Sequence, residues 1–133
     1  MIYQTDTKLH PKVREYGCGM LSTIYHVRQS WTVDEVNSLY ELCVSKGYMG
    51  ADCYISWDKF CNHLEVIKFV GFGRVGTILK PEERIITQYY NPRTKFKHFV
   101  ATDNTGKIVY DPLFDSITVR EGHPISTRIF RVE

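Results

Sequence analysis

The feature of this sequence that most constrains its fold is a change in apolar spacing near Glu65. Before that residue, apolar side chains recur every three or four positions, the spacing that buries one face of an α-helix. After it, short β-branched and aromatic runs are separated by Gly, Pro, Asn and Asp, which is typical of strands joined by turns. We therefore predict an α+β protein, with N-terminal helices packed on a C-terminal antiparallel sheet.

The first half of the chain contains start and stop signals for three helices. They are predicted over residues 18–29, 32–47 and 57–64. Thr32 and Glu35 have the spacing of a capping box, in which each side chain bonds the other residue's backbone N–H. Ser56 is predicted to cap the third helix. The seventeen residues before the first helix are predicted to be extended, with a break at His10–Pro11.

The second half contains six strand candidates between turn residues. They cover residues 66–70, 85–90, 95–102, 107–111, 116–119 and 125–132. The chain has no internal repeat, low-complexity stretch or linker, and its 133 residues are enough to bury a core without disulfides or metals. We therefore expect a single domain over residues 1–133.

Composition and charge argue against several classes of function. The formal net charge of +2 is too small to favour a nucleic acid or an anionic membrane as a partner. No apolar run approaches the roughly 20 residues of a membrane span, and residues 1–7 lack the apolar centre of a signal peptide. The sequence therefore predicts a cytoplasmic protein, or one released by another route, and leaves its oligomeric state open.

No cofactor or metal site is predicted. The four cysteines include no C-x-x-C pair, and the histidines other than His98 lack the spacing of metal ligands. Residues 71–76 match G-x-G-x-x-G, but residues 77–81 do not have the pattern of the helix that a dinucleotide site requires. Three cysteines are expected to be reduced and buried: Cys43, Cys53 and Cys61.

Cys18 is the candidate nucleophile. It lies between Gly17 and Gly19 at a predicted helix start, where backbone N–H groups and partial positive charge stabilise a thiolate. The thiolate is the reactive form of cysteine, and the small neighbours leave room for a substrate backbone. The N–H of Cys18 could also bind a developing oxyanion. The alternative is a buried structural cysteine.

His98 is the candidate general base. Because side chains alternate along a strand, it shares a face with Phe96 and Val100, whereas Lys95 and Lys97 point the other way. This position suits a core histidine as well as a base held in a dry cleft.

Asp111 is the candidate partner of His98. A hairpin centred on residues 104–105 would place Asp111 directly opposite His98, where a carboxylate can fix the orientation of an imidazole. A bulge or an odd-length loop would instead put Tyr110 or Pro112 opposite. The order Cys, His, Asp along the chain is that of papain-like enzymes.

Three segments of the chain resemble papain-fold peptidases of the bacteriocin-processing, double-glycine leader type, and more closely their phage- and prophage-associated relatives. The segments span nearly the whole chain and are Tyr3-Gln4-Thr5-Asp6, Tyr16-Gly17-Cys18-Gly19-Met20-Leu21-Ser22, and His98-Phe99-Val100-Ala101 through Tyr110-Asp111-Pro112. The resemblance implies a papain-like fold and a peptide or protein substrate. As an alternative to an ordinary cytoplasmic protein, the resemblance also implies one that is phage-encoded or associated with a virion.

The resemblance further implies a glutamine whose side-chain amide completes the oxyanion hole. Gln4 would be that residue, although the peptidases usually place it closer to the cysteine, where this chain has residues 12–14. In the implied reaction Cys18 attacks an amide bond, His98 takes and returns the proton, and Asp111 holds His98. An acyl-enzyme forms between the two halves of the reaction.

Two other functions stay open. One is a papain-like module that binds a phage or host protein without catalysis, which the loss of a supporting residue such as the glutamine would favour. The other is an amidase or acyltransferase acting on cell-wall peptide or a small molecule. A long groove would favour a peptide substrate, and a closed pocket would favour a small molecule.

Overall fold

The computed structural model describes residues 1–133 and contains five helices and five strands. The helices are α1 (Pro11–Tyr16), α2 (Cys18–Tyr25), α3 (Val33–Lys46), α4 (Trp57–Leu64) and α5 (Ile117–Glu121). The strands are β1 (Ile67–Gly73), β2 (Glu83–Tyr90), β3 (Lys97–Thr102), β4 (Ile108–Tyr110) and β5 (His123–Val132). They form one sheet in the order β1-β5-β2-β3-β4, and every pairing is antiparallel. The prediction of an α+β protein with an antiparallel sheet is confirmed; α1 to α4 precede the sheet, and α5 lies between β4 and β5.

Helix α2 packs against β3 and α4 packs against β1, whereas α5 contacts β2, β3 and β5. The larger core cluster joins apolar side chains of the helical half to Ala101 and Tyr110 of the sheet. A smaller cluster lies between α4 and the sheet and contains Cys61, Ile67, Ile86 and Phe130. No helix is long and apolar enough to cross a bilayer.

Helix α3 begins and ends as its sequence predicts. The Thr32 hydroxyl accepts from the Glu35 N–H at 3.2 Å, and the Glu35 carboxylate accepts from the Thr32 N–H at 3.0 Å. Gly47 ends the helix in the left-handed conformation at φ 76°, which costs glycine little. The predicted capping box is therefore confirmed.

The prediction of an extended N-terminus is wrong for residues 11–16, which form α1. Pro11 occupies the first turn, where proline's missing N–H costs nothing and its fixed φ suits a helix. The ring of His10 caps the helix by accepting from the Lys12 N–H at 3.1 Å. The proline therefore starts a helix and does not break the chain there.

Other boundaries also differ from the predictions. Helix α2 ends four residues early, where the indole N–H of Trp31 donates to the Ile24 carbonyl at 3.0 Å. Strand β1 continues to Gly73. The predicted strand over residues 116–119 is wrong, because those residues enter α5, which Ser116 caps by accepting from the Thr118 N–H. A favourable cap outweighs the strand preference of these β-branched residues.

The β3–β4 hairpin has a different register from the one predicted. Asp103 donates its N–H to the Lys107 carbonyl at 2.8 Å, so the loop holds three residues and Gly106 takes φ 86°. Thr102 pairs with Ile108, and a shift then pairs Ala101 with Tyr110. Strand β4 ends at Tyr110, so Asp111 is not paired across the ladder with His98.

Candidate functional site

Cys18 is the first residue of α2 and is partly exposed, in contrast to Cys43, Cys53 and Cys61. The N–H of Phe99 on β3 donates to its Sγ at 3.5 Å. All four cysteines are free, and the prediction that the other three are buried is confirmed.

Two glycines allow the close packing that positions Cys18. Gly17 is the joint between α1 and α2. A Cβ at this position would lie 2.4 Å from the carbonyl oxygen of Val13 in α1, so only glycine fits there. A Cβ on Gly19 would lie 3.3 Å from the ring of Phe99. The joint and the sheet together direct the start of α2, with Cys18, toward β3.

His98 and Asp111 form a buried pair beside this helix start. The Nε2 of His98 lies 2.7 Å from an Asp111 carboxylate oxygen, and the two residues are only 4% and 8% exposed. Asp111 follows β4 in a turn, and its side chain reaches back to β3. The two residues therefore meet as expected, but through this turn and not through the predicted strand register.

Backbone groups hold the Asp111 carboxylate in place. One oxygen accepts from the Leu113 N–H at 2.9 Å, and the other accepts from the Ser116 N–H at 3.0 Å. Burial opposes the charged form, but the hydrogen bonds from His98 and these two amides outweigh it and lower the pKa of Asp111. The carboxylate is therefore ionised and rigid.

His98 is biased toward its charged form. Burial lowers the pKa of the ring, but the hydrogen bond to Asp111 and the interaction with Cys18 outweigh burial and raise the pKa to about 9. Because Nε2 is bonded to Asp111, Nδ1 is the ring nitrogen left for Cys18. An imidazolium next to a thiol favours the thiolate of that thiol.

The other three thiols lie in surroundings that suppress reactivity. Burial raises the pKa of Cys43 to about 11 and those of Cys53 and Cys61 to about 12. A thiol that stays protonated is a poor nucleophile. Cys18 is therefore the only cysteine that combines exposure with a cationic neighbour.

Gln4 is buried and bonded to α1. Its side-chain nitrogen donates to the carbonyls of Val13 and Arg14 at 3.3 and 3.2 Å, and its Oε1 is buried without a partner. Its backbone N–H donates to the Pro112 carbonyl at 2.7 Å, next to Asp111. The groove that contains Cys18 is lined by other residues. A role of Gln4 in an oxyanion hole therefore stays a prediction.

Cys18 opens into a groove of about 340 Å³. The groove lies between the start of α2, the segment before α4 and the facing surface of the sheet. Its lining is mainly apolar, with two cations and no carboxylate, and consists of Tyr16, Cys18, Gly19, Cys53, Tyr54, Ile55, Trp57, Phe72, Gln88, Lys97, Phe99 and Arg128. A ligand in this groove would contact aromatic surface and positive charge.

A larger cavity of about 470 Å³ lies away from Cys18. It is enclosed by residues 74–79 and by the β3–β4 loop, and Arg74 is its only charged lining residue. It offers no nucleophile with a neighbouring base. The candidate nucleophile therefore lies at the Cys18 groove and not at this larger cavity.

Apart from Cys18 and Gly19, sequence reasoning missed the residues that line the groove. Arg128 is the clearest of them, because it lies two positions before buried Phe130 on β5 and therefore on the same face of the sheet. A cation at an apolar-face position of a strand is unusual, and this is the signal that could have identified it.

Comparison with known proteins places the chain in a family. No curated protein and no solved structure matches the sequence. A family model described as "Protein of unknown function, DUF261" matches residues 1–132. The chain therefore belongs to the DUF261 family.

Proposed function

We propose that this protein is a papain-like cysteine hydrolase that cleaves a peptide or isopeptide amide bond. The observation that carries the proposal is the position of the buried His98–Asp111 pair, joined at 2.7 Å, beside Cys18 at the start of α2. A nucleophile, a base in contact with it and a group that orients the base are the requirements of covalent amide hydrolysis.

In the proposed reaction the Cys18 thiolate attacks the amide carbonyl carbon. The C–N bond then breaks, and the His98 imidazolium gives its proton to the leaving amine. This leaves a thioester on Cys18. Water attacks the thioester with His98 as general base, which releases the carboxylic acid and restores the thiol. Asp111 keeps the ring oriented through both steps.

The groove favours a peptide over a small enclosed substrate. It is not closed off from solvent, since Tyr54 and Phe72 in its lining have 82% and 67% of their area exposed. An extended chain can lie in such a groove, whereas a small molecule is held best in a pocket that closes around it. Cell-wall peptide is a substrate of the same chemical class.

One observation favours the second candidate function, a binding module without catalysis. The amide nitrogen of Gln4 is engaged by α1 and does not face the Cys18 groove. Catalysis would then depend on backbone N–H groups in the first turn of α2 for the oxyanion. A missing donor commonly costs about 10²–10³ in rate.

Alkylation of the four cysteines by iodoacetamide, followed by mass spectrometry, tests the proposal. At about pH 6 an ordinary thiol of pKa about 8.5 is almost wholly protonated. We expect Cys18 alone to react rapidly at that pH, because it is the exposed cysteine and lies beside the His98 imidazolium. The variant His98→Ala should react more slowly by about tenfold or more.

His63→Ala is the matched control, because His63 is an exposed histidine outside the groove. It should leave the alkylation rate of Cys18 unchanged, and circular dichroism would check that both variants fold. If Cys18 reacts like an ordinary thiol in the wild type, or if removal of His98 has no effect, the hydrolase proposal fails. The chain would then be a binding module.

A further inference from the structure

Arg128 is a cation inside the Cys18 groove. It projects from β5, and its guanidinium carbon lies 4.6 Å from the ring centre of Phe72, 5.2 Å from that of Phe99 and 5.9 Å from that of Trp57. Stacking on aromatic faces holds the guanidinium in one place. The cation is therefore positioned, in contrast to a surface arginine that moves freely in solvent.

The protein leaves this cation without a counter-ion. The Nη1 of Arg128 donates to the Ser126 hydroxyl at 3.1 Å and to the Thr127 carbonyl at 3.3 Å, while its Nε is buried without a partner. Arg128 takes part in none of the five ion pairs of the chain. Nη2 has no acceptor in the protein.

The surroundings strengthen the attraction of this cation for an anion. The groove contains a second cation, Lys97, and no Asp or Glu. Partial burial weakens the screening of charges by water, so a charge-assisted hydrogen bond formed there is stronger than one on the surface. Packing alone would be served as well by an apolar side chain, so the retained charge points to a ligand.

Phe99 connects this cation to the candidate nucleophile. Its N–H contacts the Sγ of Cys18 at 3.5 Å, and its ring lies beneath Arg128. An anionic group at Arg128 would therefore belong to a residue close to the bond that Cys18 attacks. Carboxylates fit the planar guanidinium with two parallel hydrogen bonds.

We propose that Arg128 is a specificity residue that binds a carboxylate of the substrate, so that this protein acts on acidic peptides. The inference rests on the proposed hydrolase function. The carboxylate has two possible sources, an acidic side chain and a free C-terminus, and both present the same planar anion.

Three alkylating probes of matched size test the proposal on Cys18. Iodoacetyl-glutamine α-amide is neutral, iodoacetyl-glutamate α-amide carries a side-chain carboxylate, and iodoacetyl-glutamine carries a free α-carboxylate. We expect at least one anionic probe to alkylate wild-type Cys18 about tenfold faster than the neutral probe, the ratio supplied by one charge-assisted hydrogen bond. The faster anionic probe identifies the source of the carboxylate.

The charge preference should disappear in Arg128→Gln and survive in part in Arg128→Lys, which retains the charge. Arg131→Gln is the matched control, because Arg131 is an exposed arginine on the same strand. Lys97→Gln tests the other cation of the groove. If the role of Arg128 were merely structural, Arg128→Gln would change the stability of the protein but not the ratio between the alkylation rates of the anionic and neutral probes.

Three results would overturn the proposal. They are equal rates for all three probes in the wild type, a preference that persists in Arg128→Gln, and a Cys18 that none of the probes reaches. The first of these results needs only the wild-type protein. Equal alkylation rates for the three probes would overturn the proposal even if Arg128→Gln fails to fold.

The rates are measured at about pH 8.5, where an unactivated thiol is about half ionised. A loss of thiol activation therefore does not conceal the charge preference. If the hydrolase proposal fails, His98→Ala has no effect on iodoacetamide labelling, but the ratio between the probes can still be measured. Failure of one proposal is thus distinguishable from failure of the other.

Discussion

At the scale of single residues, His98 is under two opposing influences. Its burial favours the neutral ring, while its hydrogen bond to Asp111 and its interaction with Cys18 favour the imidazolium and prevail. The backbone N–H groups of Leu113 and Ser116 donate to the Asp111 carboxylate, so the partner of His98 is itself fixed in place. The charge on His98 is therefore a property of the whole cluster.

This charge makes stability depend on pH in a defined direction. The folded pKa of His98, about 9, is above the value of about 6.5 expected for the unfolded chain. The folded state therefore binds the proton more tightly, and the stabilisation is complete below about pH 6.5. It is lost as the pH rises through about 9.

We expect the stability advantage of the wild type over His98→Gln to shrink by on the order of 3 kcal/mol between about pH 6 and pH 9.5. Chemical denaturation at several pH values measures both free energies of unfolding. His63→Gln, an exposed control, should show no such trend. An advantage that stays constant with pH would contradict the charged state of His98.

At the scale of elements, the joint between α1 and α2 determines where Cys18 lies. The Gly17 N–H donates to the Val13 carbonyl at 2.9 Å, and α2 begins at the next residue. The space beside Gly17 is filled by α1, as the 2.4 Å approach to the Val13 oxygen shows. Any side chain there would force the two helices apart.

Gly17→Ala is expected to lower the free energy of unfolding by about 1–3 kcal/mol, the usual cost of overpacking. It should also slow the alkylation of Cys18, because the start of α2 would move away from His98. Denaturant unfolding and iodoacetamide labelling measure the two effects.

Gly71→Ala is the control for this substitution. Gly71 lies in β1 with no atom within 4 Å of the added Cβ, so Gly71→Ala should change the free energy of unfolding by no more than about 0.5 kcal/mol. If both substitutions lowered the free energy of unfolding equally, the need for glycine at position 17 would come from its backbone flexibility and not from the contact with α1.

At the scale of the whole molecule, the N-terminal segment links the two halves of the fold. The Gln4 side chain is bonded to α1, and its backbone is bonded to the turn that carries Asp111. Nearby, the Tyr110 hydroxyl donates to the Ile2 carbonyl at 2.6 Å. The segment therefore ties the helix joint before Cys18 to the turn that positions His98.

We expect Gln4→Ala to lower the free energy of unfolding by about 1–3 kcal/mol, because it removes a buried donor from two carbonyls. Gln29→Ala is a matched control, since Gln29 is exposed and donates to only one carbonyl. If Gln4→Ala is as stable as the control, the link between the halves does not depend on this side chain.

The sequence by itself determined the class of the fold and most of its elements. Helical spacing before Glu65 and strand runs after it are local patterns, and the Thr32–Glu35 capping box involves neighbours only three residues apart. It also identified Cys18, His98 and Asp111 as candidates, since a cysteine between glycines and a buried-face histidine are visible in the chain. Local interactions suffice for such predictions.

Only the tertiary structure decided how those candidates meet. The hairpin register depends on one extra loop residue and a bulge, so Asp111 reaches His98 from a turn outside the strand. The position of Gln4 depends on α1, and α1 is held by bonds to residues distant in sequence, from the His10 N–H to Asn37 and from the Cys53 thiol to the Lys12 carbonyl. Arg128 becomes a groove residue only because β5 lies between β1 and β2. These arrangements are set by long-range packing, which local sequence patterns do not encode.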